Sequence, residues 1–144
     1  MTGYLQGKRV VRRDLRTLGR RERAVYNLFR DAYFPSAEFW RVGFPILGEG
    51  VSLMLTRGRG WRSYGLVRRR IDLVYKDKAG VHVVEFKVTV GPAAIGQVLL
   101  YRDYIERTFP ETRPVQCRLA GFSVESDILG LCRRLGIVVD LFSS

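Results

Sequence analysis

The chain has 144 residues, 47% of them apolar, and carries 25 Lys and Arg against 14 Asp and Glu, a formal net charge of +11. That length suits one compact domain spanning 1–144 with a single core, and that charge favours a polyanion, nucleic acid above all, over an acidic metabolite, because neutralising phosphates releases counterions. No run approaches the roughly 20 apolar residues of a membrane span, no signal peptide is visible, and Cys117, Cys132 and the single histidine, His82, are too few soft ligands for zinc. The expectation is therefore a soluble, intracellular (cytoplasmic) protein that stays off the membrane.

The charge is densest in "GKRVVRRDLRTLGRRER", where only Asp14 and Glu22 oppose the cations. This predicts a basic N-terminal arm over about residues 1–17, and the bias to arginine suits bidentate contacts with phosphate. Lys8, Arg9, Arg12, Arg13, Arg20 and Arg21 are the candidate DNA contacts here, joined further on by Arg68 and Arg69. "RRERAVYNLFRDAYF" predicts a first helix ending before Pro35, with Leu18, Val25, Leu28, Phe29 and Ala32 on its inner face. The next stretch is less decisive and predicts one or two strands, "VSLMLTR" the better of them, then a turn at "RGRGW". That glycine-rich turn lacks the Gly-Lys-Ser/Thr ending and following helix of a phosphate loop, so no nucleotide cofactor is expected.

"RRIDLVYKD" and "VHVVEFKVTV" predict a hairpin turning through Lys78, Ala79 and Gly80. "PAAIGQVLLYRDYIERTF" predicts a second helix, with Pro92 in its first turn and Ala94, Val98, Tyr101 and Ile105 on one face. A strand "PVQCRLAGF", a helix "ESDILGLCRRLG" and a strand "IVVDLF" complete a mixed α/β order. The two cysteines lie in apolar runs, which leaves buried free thiols or a disulfide open.

The hairpin poses a problem of charge. Side chains alternate along a strand, so Val81, Val83, Glu85 and Lys87 share one face and His82, Val84, Phe86 and Val88 the other. A turn centred between Lys78 and Ala79 places Asp72 across from Glu85, Cβ atoms roughly 5 Å apart. Two carboxylates set that close repel unless a hard cation such as Mg²⁺ lies between them. Lys87, one ladder step on, can hold a nucleophilic water or stabilise charge growing on a phosphate.

"IDLV" and "EFK", in the spacing Asp-x12-Glu-x-Lys, resemble the signature of the PD-(D/E)XK nuclease superfamily. Gln97 and Tyr101, as Q-x-x-x-Y one helical turn apart, resemble the motif of its RecB-type members. The resemblance implies a restriction-endonuclease-like fold, a mixed central sheet flanked by helices. It also implies a Mg²⁺-dependent deoxyribonuclease in which Mn²⁺ substitutes and DNA is the partner. Asp72, Glu85 and the Phe86 carbonyl become metal ligands, Lys87 assists the water, and Gln97 orients a phosphate or that water.

Two residues carry open alternatives. Glu22 either completes the metal site from the first helix or is a first-turn glutamate facing the helix dipole or an arginine. Tyr101 either bonds a phosphate or is core. The small size, basic surface and "RRERAVYNLF" also resemble archaeal Holliday junction resolvases, which implies a homodimer, with Ser36 the stand-in for their serine-bearing loop. A silent DNA-binding module of the same fold and an RNA-directed nuclease are the remaining alternatives.

Overall fold

The computed structural model describes residues 5, 7–9, 12–46 and 69–144. "VSLMLTR", "RGRGW" and Arg68 lie outside the described residues, as do the side chains of Arg9, Arg12 and Arg13. In chain order the elements are β1 (Gly7–Arg9), α1 (Arg20–Tyr33), β2 (Phe39–Ile46), β3 (Arg69–Asp77), β4 (Gly80–Phe86), β5 (Thr89–Val90), α2 (Pro92–Thr108), β6 (Gln116–Gly121), β7 (Ser123–Val124), α3 (Ser126–Arg134) and β8 (Val138–Leu141).

Six strands form one mixed sheet in the order β1-β2-β3-β4-β6-β8, and β5 pairs with β7 in a separate ribbon. β2, β3 and β4 run antiparallel in turn, whereas β6 and β8 run parallel to β4. Parallel neighbours need crossovers long enough to hold a helix. α2 and α3 supply them.

The helices sandwich the sheet. α1 lays Val25, Tyr26 and Phe29 against Trp40, Val42, Leu73, Tyr75, Val84 and Phe86 on one face. α2 lays Ala94, Ile95, Val98, Tyr101 and Ile105 against Val74, Val81 and Val83 on the other. This is the α/β architecture the element order predicts.

Two expectations are corrected. The inner stripe of α1 is rotated: Leu28 is exposed at 37% and Tyr26 is buried. Burial of Tyr26 is made favourable by its hydroxyl, which accepts from Trp40 Nε1 at 3.2 Å. The segment read as a basic arm is partly built into the fold. β1 pairs with β2 in parallel, Leu5 and Leu18 are buried, and Arg23 Nε donates to the Leu15 and Leu18 carbonyls at 3.0 and 3.3 Å. A strand forms at Phe39–Ile46, within the region where one or two strands were expected, and the segment favoured there lies outside the described residues.

Cys117 and Cys132 are both buried and free. Burial pushes the Cys117 thiol up to about 11, so it packs as a neutral apolar group.

Candidate active site

The site forms where the β3–β4 ladder ends. A two-residue turn, Lys78–Ala79, joins the strands, and Gly80 closes it at φ 119°, a conformation glycine accepts without strain. From there the register runs Asp77↔Gly80 to Leu73↔Val84. One step further, Asp72 stands across from Glu85, as the turn centre requires. The backbone ladder gives way to a side chain at that point: the Phe86 N–H donates to Asp72 Oδ2 at 3.0 Å.

Glu85 shares its face with Val81 and Val83 and is only 4% exposed. Four groups hold it. Lys87 Nζ stands 3.5 Å from Oε1 and is itself a third exposed, the Tyr101 hydroxyl donates to the carboxylate, and the Asp72 carboxyl bonds to it from across the hairpin. The fourth is the apolar wall of α2. Even so, Glu85 Oε2 is buried without a hydrogen-bond partner, and so is Gln97 Oε1, one helical turn before Tyr101.

The electrostatics follow. Burial first, and then the Glu85 charge, hold the Asp72 carboxyl well above its usual range, against the pull of the Phe86 N–H and Lys87. Burial also raises Glu85, while Lys87 and the Tyr101 hydroxyl draw it down. Burial therefore favours the protonated form of both carboxyls. Tyr101 is raised by burial and by both acids, so its hydroxyl stays protonated and donates.

The donor set suits a hard divalent cation. Two carboxylates and a primary amide offer oxygen only, and two of those oxygens are buried acceptors with nothing to accept. Among the described residues no group of three His, Cys, Asp or Glu comes together, so the acidic part of the site is a pair.

Asp72, Glu85, Lys87 and Tyr101 therefore come together, and Gln97 lies one helical turn before Tyr101 on α2. Phe86 contributes its N–H to Asp72, while its ring faces away, packed edge-on to Tyr26 and Phe29 at 5.6 and 5.5 Å. Glu22 is not part of the gathering. It sits on α1, which covers the opposite face, and its carboxylate turns back over Gly19, the N-cap of its own helix. A glutamate three residues past an N-cap has unsatisfied N–H groups and the positive helix end within reach. That attraction accounts for its place.

Of the candidate DNA contacts, Arg69 is exposed three residues before Asp72, near enough for its charge to act on Tyr101. Arg20 and Arg21 are exposed in the first turn of α1. Lys8 is committed elsewhere: its Nζ donates to the Phe34 carbonyl at 2.8 Å and stands 4.7 Å from that ring's centre. Ser36 lines a hollow of about 470 Å³ with Asp77, Lys78 and Ala79, at the turn end of the hairpin. It is five residues of β3 away from the acid pair, so it does not serve that site.

The sequence reading missed a buried polar chain on the α1 face. His82, fully buried, donates from Nε2 to Asp77 Oδ1 at 2.9 Å and accepts at Nδ1 from Arg118 Nε at 3.2 Å. The Arg118 guanidinium reaches Asp140 at 3.1 and 3.3 Å, and the Tyr33 hydroxyl donates to Asp140 at 2.6 Å. Tyr75 stacks on the imidazole at 4.3 Å. The five groups come from four strands and a helix, so local pattern held no signal for them.

No protein-family model matches the chain, and no curated protein matches its sequence. Two solved structures share its fold. One is a repair endonuclease from Pyrococcus abyssi, 18% identical with a TM-score of 0.51, over 84% of this chain and 46% of that one. The other is EndoMS in complex with double-stranded DNA, 14% identical with a TM-score of 0.51, over 88% of this chain and 46% of that one. The chain thus spans just under half the length of the proteins it resembles. Its mixed six-stranded sheet flanked by helices is a fold it shares with part of each of those proteins.

Proposed function

We propose that the protein is a metal-dependent DNA nuclease that hydrolyses phosphodiester bonds at the Asp72–Glu85 pair. The observation that carries this reading is a pair of facing, buried carboxylates with a lysine ammonium 3.5 Å from one of them and an orphaned acceptor on that same group. The Glu85–Lys87 ion pair leaves that acceptor unsatisfied, and a hard cation would satisfy it. The net charge of +11 and a shared fold with repair endonucleases, one of them bound to DNA, support DNA as substrate.

Asp72, Glu85 and, by resemblance, the Phe86 carbonyl would hold Mg²⁺ or Mn²⁺, with the Gln97 amide oxygen close by. Bound there, the ion supplies Lewis-acid polarisation of a phosphate oxygen and acidifies water. The rest is the work of the chain. Tyr101 pins Glu85 through its hydroxyl and keeps one carboxylate oxygen turned toward the open position. Lys87 holds the attacking water and offsets negative charge as the bond to phosphorus forms. Gln97 orients that water or a phosphate oxygen. Arg69, with Arg20 and Arg21, contributes the positive field that draws a phosphate backbone in.

A junction-resolving homodimer is the second reading, and one observation favours it. Among the described residues the outer edge of β8 is unpaired, and Val138 and Leu141 on it are exposed. Sedimentation with and without Leu141→Lys decides that reading, which fails if the wild type stays a monomer at assay concentrations.

The main experiment is cleavage of labelled linear duplex, single strand, flap and four-way junction with Mg²⁺, Mn²⁺ or EDTA. Wild type is expected to cut only with metal, and Glu85→Gln and Lys87→Ala to bind DNA without cutting. Binding of every substrate with no cutting under either metal would leave a DNA-binding module and end the nuclease reading.

A further inference from the structure

Beyond Phe86 the chain leaves the sheet in a braced path. The Lys87 N–H donates to the Ala120 carbonyl at 2.9 Å, and the Val88 carbonyl accepts from Phe122 and Ser123 at 3.0 and 3.2 Å. β5 then runs parallel to β7, with Thr89 beside Ser123 and Val90 beside Val124. Two residue pairs hold little by themselves. Val90, however, is fully buried, and Gly121 lets the strands cross at a distance no side chain would allow: a Cβ there would stand 2.6 Å from the Lys87 carbonyl oxygen.

The outward side chains of this ribbon are Thr89 and Ser123, both exposed, with their hydroxyl oxygens 3.0 Å apart. Each hydroxyl has one proton. When one donates to the other, the second is left with its proton free to project outward. The pair thus presents a donor on rigid backbone whichever way it is arranged, and it does so two residues past Lys87. The chain bends at Val88, so the two residues from Lys87 to Thr89 span at most roughly 7 Å, within the scale of one nucleotide step.

We propose that Thr89 and Ser123 form a neutral phosphate subsite, gripping the DNA phosphate next to the one that is cut. This rests on the nuclease reading and deepens it. Lys87 serves the reacting phosphate, and the hydroxyl pair fixes its neighbour, so the strand enters with its scissile bond in line. Glu125, whose carboxylate lies 3.7 Å from a Cβ position at Gly91, stands at the other end of the ribbon and limits the grip to a single phosphate by repulsion. The pair carries no charge and therefore adds hydrogen-bond energy without releasing counterions.

The test compares wild type, Glu85→Gln and the double variant Thr89→Val/Ser123→Ala on a duplex in which neutral methylphosphonates replace the phosphates one at a time around the cut. The double variant keeps the shape of both side chains, and an unchanged melting curve checks its fold. Its kcat/KM is expected to fall about tenfold, the scale of a hydrogen bond to a charged acceptor, with the slope of log affinity against log salt unchanged. At one flanking phosphate the methylphosphonate should slow wild type about as much and slow the double variant no further. A double variant with wild-type kcat/KM, or one equally sensitive at every flanking position, overturns the subsite. If wild type binds but never cuts, the nuclease reading has failed. The same series is then scored by Glu85→Gln and double-variant Kd, where a matching loss at one phosphate sustains the subsite and its absence ends it.

Discussion

Asp72 shows what one residue can report about the site. Its carboxyl titrates above the unfolded value, so between the two values the folded chain holds the extra proton, and stability falls as pH rises through the folded value. Asp72→Asn removes the charge, keeps an acceptor for the Phe86 N–H and adds a donor toward Glu85. In EDTA the variant is expected to melt above wild type at pH 8, by on the order of 3 °C, with the gap closing as pH falls toward 3.8. Thermal melts at several pH values check this, and an equal gap throughout would remove ionisation from the account. Glu22 teaches the opposite lesson. Its place on the helical stripe was legible, but the pull of its own N-cap on a carboxylate three residues away was the stronger term.

Among elements, the β3–β4 hairpin was the most legible. A two-residue turn leaves one register, and one register leaves one facing partner for Asp72. β2 was the least legible, because "FWRVGFPI" mixes aromatics with Gly43 and Pro45 and shows no clean alternation. The β5–β7 ribbon was invisible in the sequence, since two-residue strands carry no period. Gly121 is the element-scale test of that ribbon. Gly121→Ala drives a methyl into the Lys87 carbonyl, a backbone atom with little room to give. The expected cost is about 1–3 kcal/mol in urea unfolding, with a loss of cleavage beyond what the lost stability explains. Wild-type values for both would show that the crossing relaxes freely and does not position Lys87.

For the whole molecule, net charge pointed to the proposed partner, and the order of elements pointed to the fold. The buried polar chain was beyond reach, because its hydrogen bonds join residues as far apart as 107 positions. Arg118 is its hub, and its side chain is only 15% exposed. Arg118→Met leaves His82 Nδ1 without its donor and Asp140 with the Tyr33 hydroxyl but no cation, and an expected loss of about 3 kcal/mol follows from breaking a largely buried pair. Equilibrium denaturation checks it, and a loss below a few tenths would make the chain ornamental. Arg20→Ala with Arg21→Ala belongs to the same scale. If both meet phosphates, the slope of log affinity against log salt drops by up to about 1.8, as titrations from low to high salt would show. An unchanged slope would assign those arginines to solubility.

The bond from Tyr33 to Asp140 joins the first helix to the last strand. A ribosome delivers these partners in a fixed order. α1 and Arg118 emerge before Asp140, so a nascent chain halted near residue 136 holds a guanidinium whose carboxylate partner has not yet been made. The α1 face is then sealed late, only after translation has passed β8.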